Sequence, residues 1–205
     1  MEYHKIQSIF KRDMSTKKAE FIMWEWSLPE FDYLSTSPWI GTEKIDGTNI
    51  RIYKDGRIGG RTANAQIPTF LLPVLEDVRS RLMDSDLPDD TVLYGEGYGA
   101  KIQSGGHYIP NGQSFCLFDV NIAGNYQPRE SVEDIADKLG IAIAPILATT
   151  SLSQWVYWIE AGEFKESQLH PGARNEGVVL RPNVELRNRC GHRIITKLKF
   201  KDFMM

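Results

Sequence analysis

Cysteine is nearly absent from this 205-residue chain, with Cys116 and Cys190 the only two. So few thiols, without a C-x-x-C, exclude a disulfide-stapled scaffold and a zinc or redox signature. Both sit near apolar segments, so two buried, reduced thiols are expected. Long apolar runs are missing too: no stretch of about eighteen apolar residues occurs, which excludes a membrane-spanning helix. The opening MEYHKIQSIFKRD is polar and lacks the apolar centre of a secretion signal. A soluble, cytoplasmic protein is the expectation. Histidine is sparse, and His4, His107, His170 and His192 are scattered without H-x-x-x-H spacing, so they point to no metal site. There is no G-x-x-x-x-G-K-[ST], and GEGYG is not the dinucleotide fingerprint. Any bound nucleotide must therefore be held by side-chain cations. With no repeat, low-complexity tract or linker-like stretch, residues 1–205 read as one domain.

Net charge is small, at −3, but charge is unevenly spread. Between Arg174 and Lys201 the basic residues Arg174, Arg181, Arg187, Arg189, Arg193, Lys197, Lys199 and Lys201 face only Glu176 and Glu185. A locally basic stretch in an acidic chain suits an anionic partner bound at one place, although lopsided charge is common in structural domains as well.

Three segments carry helical periodicity. Residues 73–83 place Val74, Leu75, Val78 and Leu82 on one face. Ser131 reads as the N-cap of a helix striped by Val132, Ile135, Ala136 and Leu139 and stopped at Gly140. Residues 152–161 carry Trp155, Val156 and Ile159 before Gly162. The rest reads as short strands at 42–45, 49–54, 57–62, 91–96, 114–120, 177–181 and 193–200, with a hairpin at the Asp-Gly of YKDGRI. Hairpins outnumber βαβ units, so the expected fold is α+β, with largely antiparallel sheets flanked by helices. The five Trp read mostly as core, with Trp24 and Trp26 on one strand face.

The segment TEKIDGTNIRI, residues 42–52, sets Lys44 between Glu43 and Asp46. Alone, that is a surface ion pair or a reactive amine. Downstream lie Glu96 between two glycines in YGEG, Phe118 and Asp119 closing the apolar run FCLFDV, and Glu176 opening EGVVLRP. Lys197 and Lys199 are two apart in TKLKF, so both ammonium groups project from one strand face. A lysine that attacks phosphorus must be neutral, against an unperturbed pKa of about 10.4. Lys197, Lys199, Arg61 or a divalent metal nearby would lower that value. A carboxylate would raise it unless a metal occupied it, so Asp46, Glu96 and Glu176 are expected to hold a hydrated Mg²⁺ rather than to pair with Lys44.

Lys44-Ile45-Asp46-Gly47 resembles the K-x-D-G attachment motif of the covalent nucleotidyltransferases, which include ATP-dependent DNA and RNA ligases and mRNA capping enzymes. GGRT, YGEG, FCLFDV, EGVVLRP and KLKF resemble that superfamily's later motifs, in its order. EKIDGTN, with Asn49, and the opening HKIQSIFKRD look most like the RNA ligase 2 type of phages and kinetoplastid RNA editing. The resemblance covers essentially the whole chain. It implies a nucleotidyltransferase (adenylation) domain that seals RNA 5′-phosphate and 3′-hydroxyl ends in RNA repair, through a lysyl-adenylate. ATP and Mg²⁺ or Mn²⁺ are the implied cofactors, and RNA ends the implied partner, with DNA or hybrid nicks the alternatives.

By the same resemblance, Lys44 takes AMP, Glu43 recognises adenine and Phe118 stacks on the base. Asn49 and Arg61 lie near phosphates or the nucleic-acid end. Glu96 contacts the ribose or a metal-bound water, Asp46 and Glu176 complete the metal shell through water, and Lys197 and Lys199 contact the α-phosphate. Arg181 stands before proline where the family often has lysine, as a further substrate contact. One departure is that only six residues follow Lys199, so no OB-fold is expected. A separate nucleic-acid-binding domain or protein would then supply grip on the polynucleotide, and self-adenylylation is a firmer expectation than sealing. The alternatives are a DNA ligase-like enzyme, a GTP-using cap guanylyltransferase and a non-catalytic nucleotide-binding module on the same scaffold.

Overall fold

A computed structural model describes residues 2–203. They form two compact units. The first comprises residues 2–4 and Ile45–Ala144; the second comprises Lys5–Lys44 and residues 145–203.

The first unit is built on a sheet whose strands lie in the order Ala142–Ile143, Gln113–Ile122, Val92–Gly99, Thr48–Tyr53, Ile58–Gly60, with Asn125–Tyr126 folded back onto Gln113–Ile122. Ala142–Ile143 runs parallel to its neighbour, and the long central pairings are antiparallel. Alternation along a strand sends successive side chains to opposite faces. Ile50, Ile52, Leu93, Leu117 and Val120 therefore meet the apolar stripes of two helices, Leu72–Asp84 and Arg129–Leu139. Leu75, Val78 and Leu82 from the first helix are buried there, while Val74 is only half-buried.

The second helix begins two residues before the expected cap. Pro128, with φ −64° and ψ 159°, supplies the extended entry, and Ser131 lies inside the first turn. Arg129 anchors that turn by donating to Glu133 at 2.7 Å and to the carbonyl of Ala144 at 2.9 Å. The Asp-Gly hairpin forms as expected: Tyr53 N–H donates to the Arg57 carbonyl at 2.9 Å, and Gly56 takes φ 90°.

The second unit carries a sheet in the order Gln7–Ser8, Thr196–Lys199, Gly177–Pro182, Trp39–Glu43, Ile146–Thr150, antiparallel except for its first pair. The helix Leu152–Ala161 has the expected bounds. The Ser151 hydroxyl accepts the Gln154 N–H at 3.2 Å, and Gly162 ends it at φ 86°. Its Leu152, Trp155, Val156 and Ile159 pack on Trp39, Val178, Leu180 and Leu198. The strand glycine beneath, Gly41, is required by that packing, since a Cβ there would lie 2.2 Å from the Trp155 ring.

Short elements in residues 5–41 escaped the sequence reading. They include the helix Pro29–Tyr33 and a hairpin of Phe10–Arg12 with Phe21–Trp26. Trp39 and Trp155 are core, but Trp24 is 42% exposed on that irregular hairpin, with its ring 6.3 Å from that of Trp26. The thiol expectation is corrected at one position. Cys116 is buried, whereas Cys190 is exposed on a tight turn in which the Asn188 carbonyl oxygen of the side chain accepts the N–H groups of Cys190 and His192. Among the described residues no helix is long and apolar enough to cross a membrane.

Candidate active site

Three adjacent strands of the second unit bring the basic and acidic residues together. Lys44 follows the strand Trp39–Glu43, and its N–H donates to the Gly177 carbonyl at 3.0 Å. That hydrogen bond continues the pairing of Glu43 with Val178 and sets Lys44 beside Glu176. On the far side, Gly177 is opposite Lys199 and Val179 opposite Lys197. Thr196 and Leu198 point into the core, so Lys197 and Lys199 share the other face, as the two-residue spacing required.

The Glu176 carboxylate is shared: Oε2 accepts from Lys44 Nζ at 2.5 Å, and Oε1 accepts from Lys199 Nζ. The three side chains are only 20%, 15% and 20% exposed for Lys44, Glu176 and Lys199. Burial alone would raise the Glu176 carboxyl, but Lys44 and Lys199 outweigh it and hold the pKa below the usual carboxylate value. Lys197 goes the other way. Burial first, and then the nearby Lys199 and Lys44, push its ammonium down to about 8, with Glu176 opposing.

The sequence expectation kept Glu176 on a hydrated metal and away from Lys44. In the structure this carboxylate lies between two ammonium groups, because partly desolvated charges on neighbouring strands are stabilised by pairing. Arg181 is on the same face of its strand as Val179, hence as Lys197, but it is only 9% exposed. Glu43 is 2% exposed, and its carboxylate accepts from the Ser167 hydroxyl at 2.5 Å and from the N–H groups of Gln168 at 2.8 Å and Leu169 at 3.1 Å.

The first unit presents the other motif residues. Asp46 accepts the Ser104 N–H at 3.3 Å. Gly47 admits no side chain, since a Cβ would lie 2.3 Å from the Gly97 carbonyl oxygen. Asn49 is directly opposite Glu96, so the two share the sheet face turned away from the helices. The Asn49 Oδ1 is buried with no hydrogen-bond partner. The glycines flanking Glu96 do allow close approach: a Cβ at Gly95 would meet the Phe115 ring at 2.2 Å, and one at Gly97 would meet Leu71 at 2.4 Å. Those contacts are core packing, which turns Glu96 itself to the opposite face.

The register shifts between Tyr94 and Gly95, where Asp119 and Leu117 are the successive partners. Phe118 is the extra residue of that bulge. It is half-buried, with its ring 5.2 Å from that of Tyr3 at 66°, while the Tyr3 hydroxyl donates to the fully buried Asp119 at 2.6 Å. Arg61 is exposed just beyond the strand Ile58–Gly60.

Among the described residues no three His, Cys, Asp or Glu side chains gather into a metal-binding group. Sequence reasoning missed Ser167 and Asn175 in the second unit and Tyr3 in the first. Asn175 stood next to Glu176 in NEGVVLRP as a visible signal, but Ser167 lies 124 residues from Glu43 with no local pattern to link them.

The sequence model of the RNA ligase family matches residues 37–199, a span that runs from the strand before Lys44 to Lys199. The chain belongs to the RNA ligase family. Among solved structures, a lysine-to-alanine variant of Naegleria gruberi RNA ligase with ATP and Mn is similar at 20% identity and a TM-score of 0.65, over 85% of this chain and 54% of that one. A second such variant, also with ATP and Mn, is 19% identical with a TM-score of 0.65, over 97% of this chain and 57% of that one. A lysine-to-methionine variant with AMP and Mn is 21% identical with a TM-score of 0.63, over 83% and 52%. At these identities the likeness shows the shared fold, and the chain spans about half the length of those RNA ligases. No curated protein matches the chain.

Proposed function

We propose that this RNA ligase-family chain is an ATP-dependent RNA ligase that works through a lysyl-adenylate on Lys44. The observation that carries the reading is the cluster at the end of the Trp39–Glu43 strand. There Lys44, Lys197 and Lys199 surround the single carboxylate of Glu176, and the ammonium of Lys197 is already weakened. Such an excess of positive charge, partly screened from water, favours a polyphosphate over a neutral ligand and favours a neutral amine in one member of the set. The Naegleria RNA ligase variants were solved with ATP or AMP and Mn, ligands of this chemistry.

In the proposed reaction the Lys44 Nζ attacks the α-phosphorus of ATP, a P–N bond forms, and pyrophosphate leaves. A 5′-phosphate oxygen of an RNA end then displaces the lysine and takes the AMP. A 3′-hydroxyl finally attacks the activated 5′-phosphate, forming the phosphodiester and releasing AMP. Lys197 and Lys199 bind the α-phosphate, Phe118 stacks on adenine, Glu43 selects it, and Glu96 contacts the ribose. Asn49, Arg61 and Arg181 serve the phosphates and the nucleic-acid end. A divalent metal, held through water by Asp46 and Glu96, would supply neutralisation of phosphate charge.

Incubation with α-labelled ATP and Mg²⁺, followed by intact mass measurement, tests the first step. The expected result is an increment of one AMP on the wild type and none on Lys44→Ala. Equal labelling of the two would remove Lys44 from the reaction, and an adduct formed from GTP but not ATP would make the chain a guanylyltransferase. Transfer of AMP to a 5′-phosphorylated RNA, compared with the same DNA, tests the polynucleotide.

A further inference from the structure

The segment from residue 163 to 176 links the end of the Leu152–Ala161 helix to Glu176 and is folded onto itself. Ser167 N–H donates to the Ala173 carbonyl at 2.9 Å, Ala173 N–H to that of His170 at 2.9 Å, and Asn175 N–H to that of Lys165 at 2.8 Å. Both carboxylates that flank Lys44, one by sequence and one by pairing, rest on this segment. Ser167 is 3% exposed, and its hydroxyl accepts the His170 N–H at 2.9 Å while donating to Glu43 at 2.5 Å. A hydroxyl has one proton, so that proton is committed to Glu43. At the other end Asn175 is 1% exposed; its Nδ2 donates to the Phe164 carbonyl at 2.9 Å and its Oδ1 accepts the Gly177 N–H at 3.0 Å. The Asn175 side chain thus closes a loop around the main chain of Glu176, whose carbonyl accepts the Phe200 N–H at 3.2 Å. Gly177 is pressed against the next strand, where a Cβ would lie 2.1 Å from the Leu198 carbonyl oxygen.

We propose that residues 163–176 form a brace with two separable ends: Ser167 is a positioning residue for Glu43, and Asn175 is a positioning residue for Glu176 and through it for Lys44. This rests on the ligase reading given above, and it adds that choice of the base and speed of the chemical step are set from opposite ends of one segment. Neither Ser167 nor Asn175 touches a reacting atom in this scheme. Loss of Ser167 frees one oxygen of Glu43, so base selection loosens. Loss of Asn175 lets Glu176 wander between Lys44 and Lys199, so the attacking amine is aimed less well.

The test is single-turnover adduct formation by Ser167→Ala and Asn175→Ala across a range of ATP and of ITP, which lacks the adenine amino group. Ser167→Ala is expected to lower the ATP-over-ITP preference about tenfold with the maximal rate held within about twofold, the scale of one charge-assisted hydrogen bond. Asn175→Ala is expected to lower the maximal rate about tenfold or more for both nucleotides, with the half-saturating concentration and the preference unchanged. A purely structural role would instead reduce only the fraction of protein that labels, in step with a lower melting temperature. That result, or the same kinetic change in both variants, overturns the proposal. Amide exchange without nucleotide separates this from the ligase reading. Faster exchange at Gln168 and Leu169 in Ser167→Ala and at Gly177 in Asn175→Ala supports the brace even if the wild type forms no adduct, and unchanged exchange at all three overturns it.

Discussion

The two units carry their motif residues in different ways. In the second unit the charged groups are already bonded to one another: Glu176 to Lys44 and Lys199, Glu43 to Ser167 and two backbone amides. In the first unit they stand in register on a sheet face, Asn49 opposite Glu96, with Phe118 pushed out at a bulge and Arg61 exposed. A bonded cluster fixes the direction of its amines, which proximity effects demand of any attacking group. A sheet face fixes only spacing, which suffices for stacking and for contacts to a sugar. Under the proposed reaction, the cluster around Lys44 serves the chemical step and the sheet face serves nucleotide recognition, with Glu43 the recognition residue carried by the second unit.

The largest expected effect breaks the chemical half outright. Lys44→Ala should give no detectable adduct with labelled ATP while still binding nucleotide in equilibrium dialysis, because the face bearing Asn49, Glu96 and Phe118 is untouched. Binding lost as completely as labelling would dissolve the contrast. Next in size is Glu176→Ala, which leaves Lys44 and Lys199 facing each other without their shared carboxylate. Adduct formation should slow about 10²- to 10³-fold, the range for removal of one preorganised hydrogen-bonding group from a site. The measurement is the single-turnover rate at saturating ATP, and a change in half-saturation alone would put Glu176 with recognition.

Phe118→Ala probes the other half. Base–aromatic stacking is worth about 1–3 kcal/mol, so the half-saturating ATP concentration should rise about tenfold or more while the maximal rate is nearly kept. A reversed split, with rate lost and saturation unchanged, would show that the sheet face also takes part in the chemical step.

How much was legible in the sequence divides along the same line. The helix Leu152–Ala161 and the strands around Lys44, Glu96, Glu176 and Lys199 were readable, because caps, glycines and alternation are local signals. The paired projection of Lys197 and Lys199 followed from a period of two. The Phe118 bulge was not readable, since it depends on which residue of Val92–Gly99 faces which of Gln113–Ile122. Nor was the pairing of Glu176 with Lys44, which lie 132 residues apart. Sequence reasoning sent that carboxylate to a metal on the ground that it would hinder a neutral lysine, whereas two partly buried ammonium groups on neighbouring strands are stabilised by pairing with it. Glu43 was readable as a motif residue, but its three bonds to residues 167–169 were hidden in a stretch, KESQLHPGARN, with no helical or strand period.

The smallest effect concerns stability and sharpens the comparison within the second unit. Lys197 carries a pKa lowered to about 8, from burial first and then from Lys199 and Lys44, with Lys5 adding to the repulsion and Glu176 opposing it. In the unfolded chain the same group titrates near its ordinary value of about 10.4. Between those values the unfolded state binds more protons than the folded one, so the stability contributed at this position rises with pH. Below about 8 both states are protonated and the folded state bears the full cost of a crowded ammonium. Replacing it by an uncharged chain of similar length, Lys197→Met, should therefore raise the melting temperature at pH 7, and the gain should shrink as pH climbs from 8 towards 10. The same variant should bind ATP less well, because the proposed reaction places the Lys197 ammonium against the α-phosphate. A group retained at a cost in stability but needed for ligand is what a site built for a polyanion requires. A Lys197→Met protein that melts lower than wild type at pH 7 would show instead that Glu176 makes this cluster a stabilising network.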